Sequence, residues 1–194
     1  EGRRSALAGV LRTALIEERK EYNILPVGSV MNRMGSQYAV LLSEMRSTGS
    51  LSDKSLQALK NKMPDARYVI FARVESDEVA HDRSESATTD KNGNVVEGTE
   101  KVTAKTDRAV SASLHVYDLK SGDVAWGGTV TKSASNSLNY SKEKELGLVS
   151  VIKAIKGDGS AGVDQQYPYP AAPDSAKILA RVFAGFGENL PEKE

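Results

Sequence analysis

At Ala66 the spacing of apolar residues switches from the helical period to the strand period, and few architectures accommodate both in a chain of 194 residues. Before the switch, Leu7, Val10, Leu11, Ala14 and Leu15 fall at i, i+3, i+4, i+7 and i+8, the stripe of an amphipathic helix. Met34, Tyr38, Leu41, Leu42 and Met45 repeat the pattern, with Gly49 placed as a C-terminal cap and Gly28-Ser29 as a turn and N-cap. A shorter helix follows Asp53, carries Leu56, Leu59 and Met63 on one side and stops at Pro64. After the switch, Tyr68, Ile70, Ala72 and Val74 alternate with Val69, Phe71, Arg73 and Glu75, a strand covered on both faces at its start.

A second strand runs through Val110, Ala112, Leu114 and Val116, and a third through Val124, Trp126, Gly128 and Val130. The short Lys120-Ser121-Gly122-Asp123 connection joins them as a hairpin. Tyr22-Asn23-Ile24-Leu25-Pro26-Val27 reads as a further short strand, with Pro26 at its edge or end. Leu148, Val151, Ile152 and Ile155 predict a short helix ending at Gly157, and Ile178, Leu179, Val182, Phe183 and Phe186 a last helix after Asp174. The expected fold is one α/β domain, 1–194, with a mixed, mainly antiparallel sheet of four or five strands flanked by helices. Two segments interrupt it. Residues 82–108 hold six acids, five bases and no aromatics, and read as a polar, hairpin-like excursion of two strands, turning at Asn92-Gly93. Residues 157–173 are rich in Gly and Pro and read as a loop whose end favours polyproline backbone.

Composition removes several function classes. Twenty-six basic residues balance 26 acidic ones, so no global basic surplus exists to bind nucleic acid or an anionic membrane. No apolar run is long enough for a membrane-spanning helix. With no cysteine there is no disulfide, thiol nucleophile or thiolate zinc site, and two histidines leave little for metal or acid–base chemistry.

The motif candidates each have a plainer reading. Gly157-Asp158-Gly159-Ser160-Ala161-Gly162 matches G-x-G-x-x-G, but a predicted helix precedes it and a Pro-rich stretch follows, so it reads as a loop rather than a dinucleotide turn. Asp90, Asn92 and Asn94 copy three calcium-loop positions, but Val95 replaces the required Gly and Lys101 the bidentate Glu. His115 and Asp118 point to opposite faces of an extended strand and cannot act as a base and its orienting partner. No G-x-S-x-G elbow occurs. The expectation is a chain without catalytic residues, cofactor or metal. Tyr140, Tyr167 and Tyr169 fall in predicted loops, where period does not force burial. Tyrosine beside proline is a recognition composition, and the rings serve equally to cover an apolar face of the domain. Those three tyrosines, with Asn92 and Gly93 at the excursion's turn, are the candidate partner-binding residues.

Two stretches carry a resemblance. Asp65-Ala66-Arg67-Tyr68-Val69-Ile70-Phe71-Ala72-Arg73-Val74, and the hairpin from Val110 through Tyr117-Asp118 and Gly122 to Trp126, resemble a group of bacterial envelope domains. The group comprises the curli secretion lipoprotein (CsgG-like), the penicillin-binding-protein activator (LpoB-like) and the TolB amino-terminal domain. The resemblance implies a periplasmic accessory domain, without catalysis, that binds another cell-envelope protein and is anchored to the outer membrane by a lipid. The alternative it implies is a subunit of an oligomeric outer-membrane secretion assembly; a small hydrolase or nucleotide-binding enzyme is a third. Such proteins open with an apolar strand, whereas this chain opens in a helix at Glu1-Gly2-Arg3-Arg4, so a signal peptide, a lipid-bearing cysteine and that strand are expected upstream. The channel members line a barrel with long amphipathic hairpins, but residues 82–108 lack the aromatic girdle and outward apolar positions this needs. One or two copies are therefore expected rather than a ring.

Overall fold

The computed structural model describes residues 2–141 and 166–190. Among these, the order is α1 (Gly2–Glu18), α2 (Val27–Met34), α3 (Gln37–Thr48), α4 (Asp53–Lys62), β1 (Tyr68–Ser86), β2 (Lys101–Asp118), β3 (Val124–Ser141) and α5 (Ser175–Asn189). The strands form one antiparallel sheet in the order β1-β2-β3, so the described sheet has three strands rather than four or five.

The strand expected at residues 22–27 is absent for a local reason. Pro26 has no N–H to give a ladder, sits extended at φ −66° and ψ 147°, and starts α2 by accepting from Ser29 N at 3.0 Å. The Ile24 carbonyl accepts instead from Arg12 Nε at 2.7 Å. Gly28 and Ser29 thus lie in the first turn of α2. The second predicted helix is interrupted as well. Gly35 adopts φ 57° and ψ −133°, which only glycine visits at ease, and separates α2 from α3 while Met34 and Leu41 still reach the same core. Gly49 caps α3 in the left-handed conformation, its N–H on Met45 O at 3.1 Å. The α4 cap is Ser52, whose Oγ accepts from Ser55 N; Asp53 lies one position on, in the first turn.

The described chain divides into two compact units, and the strands run from one into the other. Among the described residues, the first comprises 2–76, 110–132 and 176–190. There the central strand β2 is covered on both faces. Met34, Leu41, Leu51, Leu56, Leu59 and Met63 of the α2–α4 region pack on Tyr117 and Leu119, with Val69 and Phe71 beside them. Tyr117 meets Phe71 edge-on at 6.3 Å, and its hydroxyl accepts from Leu51 N at 3.1 Å. On the other face Val110, Ala112, Leu114 and Val116 are buried, and Phe186 of α5 meets Trp126 edge-on at 6.1 Å. α5 in turn lies so close to α1 that a Cβ on Gly187 would stand 2.6 Å from Glu18 Cβ. Arg19 closes the contact, donating from Nε to Gly187 O at 2.8 Å and from Nη2 to Glu188 O at 3.2 Å and to Leu190 O.

Among the described residues, the second unit comprises 77–109, 133–141 and 166–175. Within it the segment 82–108 is strand at both ends, 82–86 in β1 and 101–108 in β2, joined by the connection 87–100. Val102, Ala104 and Thr106 of β2 are fully buried, so only part of that segment is a solvated excursion. Ser135 donates to Asp107 and Thr103 to Asn139, pairs four residues apart on both strands, so β2 and β3 hold one register here. The even-numbered face carrying Val102, Ala104 and Thr106 also carries Asn136 and Tyr140. Residues 166–173, the described end of the Gly/Pro-rich loop, cover it. The predicted helix at 148–155 and the glycine motif at 157–162 lie outside the described residues.

Candidate functional site

Prolines at 168, 170 and 173 cannot enter a sheet ladder, because they have no N–H to donate. Their segment is held by side chains instead. Five of its carbonyls accept: Tyr167 O from Arg83 Nη2 at 2.8 Å, Pro168 O from the Tyr140 hydroxyl at 2.7 Å, Pro170 O from the Thr106 hydroxyl at 2.8 Å, Ala171 O from Asn136 Nδ2 at 2.7 Å, and Pro173 O from Arg108 Nη1 at 3.2 Å. The donors come from all three strands, and among the described residues no backbone–backbone hydrogen bond ties residues 167–173 to the sheet.

The rings add to this ladder. Tyr167 lies against Tyr140 with centroids 5.6 Å apart. Tyr169 lies 4.7 Å from the His81 ring, and the Arg83 guanidinium carbon sits 4.4 Å from the Tyr169 ring centre. Tyr140, expected in a loop, thus lies on β3 and packs against Tyr167, while Tyr169 packs against His81 and Arg83; the three rings are partly covered, and their two separate contacts help hold residues 167–173 as a strap. Thr106 has one hydroxyl proton and donates it to Pro170 O, so its contact with His81 Nδ1 at 3.0 Å requires the proton on Nδ1 of the ring. At the strap's far end Arg108 grips Asp77 with two bonds, 2.6 and 2.8 Å, and Asp77 also accepts from the Ser175 hydroxyl at 2.8 Å. That carboxylate raises the Arg108 pKa above its ordinary value. Asp107 is held below the carboxylate range by the Ser135 hydroxyl first and then by Lys105.

Asn92 and Gly93 lie at the β1–β2 turn, and none of their hydrogen bonds reaches the tyrosines. Asp90 organises this turn: its Oδ1 accepts from the backbone N–H of Asn92 and of Asn94, both at 2.8 Å, while Gly93, at φ 84°, donates to Asp90 O at 3.0 Å. Those N–H groups lower the Asp90 pKa, that of Asn94 most. The pattern Asp90–Asn92–Asn94 is thus an Asx turn closed on itself, with Thr89 and Val95 bridged across it. The carboxylate of Asp118 is engaged in a turn of its own, accepting from Lys120 N at 2.7 Å and from Arg67 Nε at 3.4 Å.

No group of three or more metal-capable side chains gathers among the described residues. Two hollows open on the helices of the first unit, of about 180 Å³ beside Tyr38 and about 280 Å³ beside Gln57. Both fall below the ~300 Å³ at which small-molecule pockets usually begin. No described helix is long and apolar enough to cross a membrane. Compared with known proteins, the sequence matches no family model and no curated protein.

Sequence reasoning reached the tyrosines and missed their partners. Arg83, Thr106, Arg108 and Asn136 look like ordinary polar positions on strands. The available signal was the strap itself, since prolines spaced at 168, 170 and 173 leave carbonyls that backbone donors in register cannot all meet.

Proposed function

We propose that the chain is a non-catalytic accessory domain of the bacterial cell envelope, periplasmic and lipid-anchored to the outer membrane in its full-length form, that works by binding another envelope protein. One observation carries the binding part. The polar and aromatic side chains of the second unit are organised as a surface that grips an extended peptide segment, the strap, and not as a pocket around a reacting group. Apolar side chains at Val79, Val95, Val96 and Leu138 are exposed in the same unit, where a partner can cover them. The envelope setting rests on the resemblance of the Asp65–Val74 strand and the Val110–Trp126 hairpin to the envelope lipoprotein group.

A second reading has its own observation. Strands of 19, 18 and 18 residues are about three times the usual length of five or six, more than this helical cover needs. Long edge strands can join copies side by side, as a subunit of an outer-membrane secretion assembly requires. Light scattering on the lipid-free protein separates the two. One or two copies, together with a specific crosslinked partner in intact envelopes, is the expected result; a large closed ring overturns the accessory reading in favour of the second.

A further inference from the structure

Tyr167–Pro173 is bound in the way one protein binds a peptide of another. A segment that merely closed a core would bury apolar side chains, yet here Pro168, Ala171 and Ala172 are exposed, the tyrosines are half-covered and only Pro173 is buried. What holds it is five carbonyls on side-chain donors, plus ring and guanidinium stacking on Tyr167 and Tyr169. Tyrosine and arginine contacts over a polar rim are the composition of interfaces. Recognition through carbonyls asks little of sequence, because every residue has one. It does select for proline, which arrives with φ preset, loses less entropy on docking and leaves no N–H stranded on the sheet.

We propose that this face of the second unit is a receptor for an extended, proline-rich peptide, that Tyr167–Pro173 fills it in cis, and that a partner supplies a segment with the same tyrosine–proline alternation to take its place. The inference rests on the binding function proposed above and names the partner's chemistry. A ligand tethered to its receptor has an effective concentration in the millimolar range, so the free chain stays closed and a competing peptide binds it weakly. Weakening the tethered copy opens the site to the same peptide from solution.

The test uses the full chain and a fluorescein-labelled peptide spanning residues 166–174. In the double variant Tyr167→Ala, Tyr169→Ala the strap loses its ring contacts while the donors on the sheet remain. The labelled peptide is expected to bind this variant about tenfold or more tightly than the unaltered chain. Adding Asn136→Ala, or replacing the three prolines of the peptide with alanine, is expected to weaken that binding by about tenfold. Should the double variant fail to fold, the same peptide carrying a nitroxide at its N-terminus, added at millimolar concentration to the unaltered chain, is expected to broaden the Asn136 side-chain amide resonances. A folded variant that does not bind the peptide overturns the proposal, as does an Asn136 amide that the nitroxide leaves sharp. If envelope crosslinking finds a specific partner but the peptide does not bind, this inference fails and the proposed function stands. If the peptide binds but no envelope partner exists, the envelope function fails and the receptor stands.

Discussion

Gly187 shows how much one hydrogen atom matters where two helices meet. A methyl there would stand 2.6 Å from Glu18 Cβ, closer than real Cβ atoms approach, and 3.8 Å from Ala14 O. Gly187→Ala is therefore expected to destabilise the protein by about 1–3 kcal/mol, because α1 and α5 must part to admit it. A calorimetric melt should show this as a fall of roughly 2–4 °C for each kcal/mol. At the β1–β2 turn Asp90 acts through charge. Its folded pKa is depressed by the N–H groups of Asn94 and Asn92, so its contribution is present above the unfolded pKa and lost as pH falls through the folded one. The turn should stay ordered through the ordinary carboxylate range and loosen only in stronger acid, while Asp90→Ala should loosen it at neutral pH. Amide exchange at Asn92 and Asn94 reads both effects; fast exchange at neutral pH in the unaltered protein would contradict them.

Helix α5 depends on a cap drawn from another element. Arg19 follows α1 and supplies donors to the carbonyls of Gly187, Glu188 and Leu190 at and just beyond the end of α5, where Leu190 N also reaches Gly187 O at 3.4 Å. Arg19→Ala should cost about 1–3 kcal/mol, as for hydrogen bonds from a charged donor. Lysine should restore only part of the loss, because one ammonium cannot reproduce the planar fork. Chemical denaturation of the two variants gives the comparison. Elements differed in how readable they were. Gly49 and Pro64 end helices where the sequence says, because capping glycines and prolines act within one turn. Pro26 was legible as a strand edge yet opens a helix, since a missing N–H suits the first helical turn as well as it suits an edge.

Across the whole molecule, the decisive contacts join segments far apart in the chain. Thr106 and Pro170, hydrogen-bonded at 2.8 Å, are separated by 64 residues. A consequence concerns shortening the 82–108 segment. Val96 N donates to Thr88 O at 2.8 Å, so replacing residues 89–95 with an Asn-Gly pair leaves a two-residue hairpin on an existing pair. That variant should melt within a few degrees of the parent. Removing 84–106 takes away Val102, Ala104 and Thr106, all fully buried, and should cost the second unit its cooperative melting. Equal melting behaviour of the two deletions would show that the strap does not depend on β2 beneath it.

The sequence by itself determined what neighbouring residues can impose: the helical stripe of α1, the cap at Gly49 and the stop at Pro64, the period of two along the strands, and the hairpin at Asp118–Val124. It also placed Tyr167 and Tyr169 in a loop, but put Tyr140 there as well, whereas β3 extends through it. Only the tertiary structure decided that Tyr140 meets Tyr167 and Tyr169 meets His81, that Arg83, Thr106, Arg108 and Asn136 hold the carbonyls of their segment, and that the described sheet stops at three strands. Period assigns a residue to a face, but not the segment that will cover that face. On β2 the covered positions are Val, Ala and Thr, too small and mixed to announce burial. Their partner is a proline segment held through its carbonyls, and a carbonyl is the one group every residue has alike.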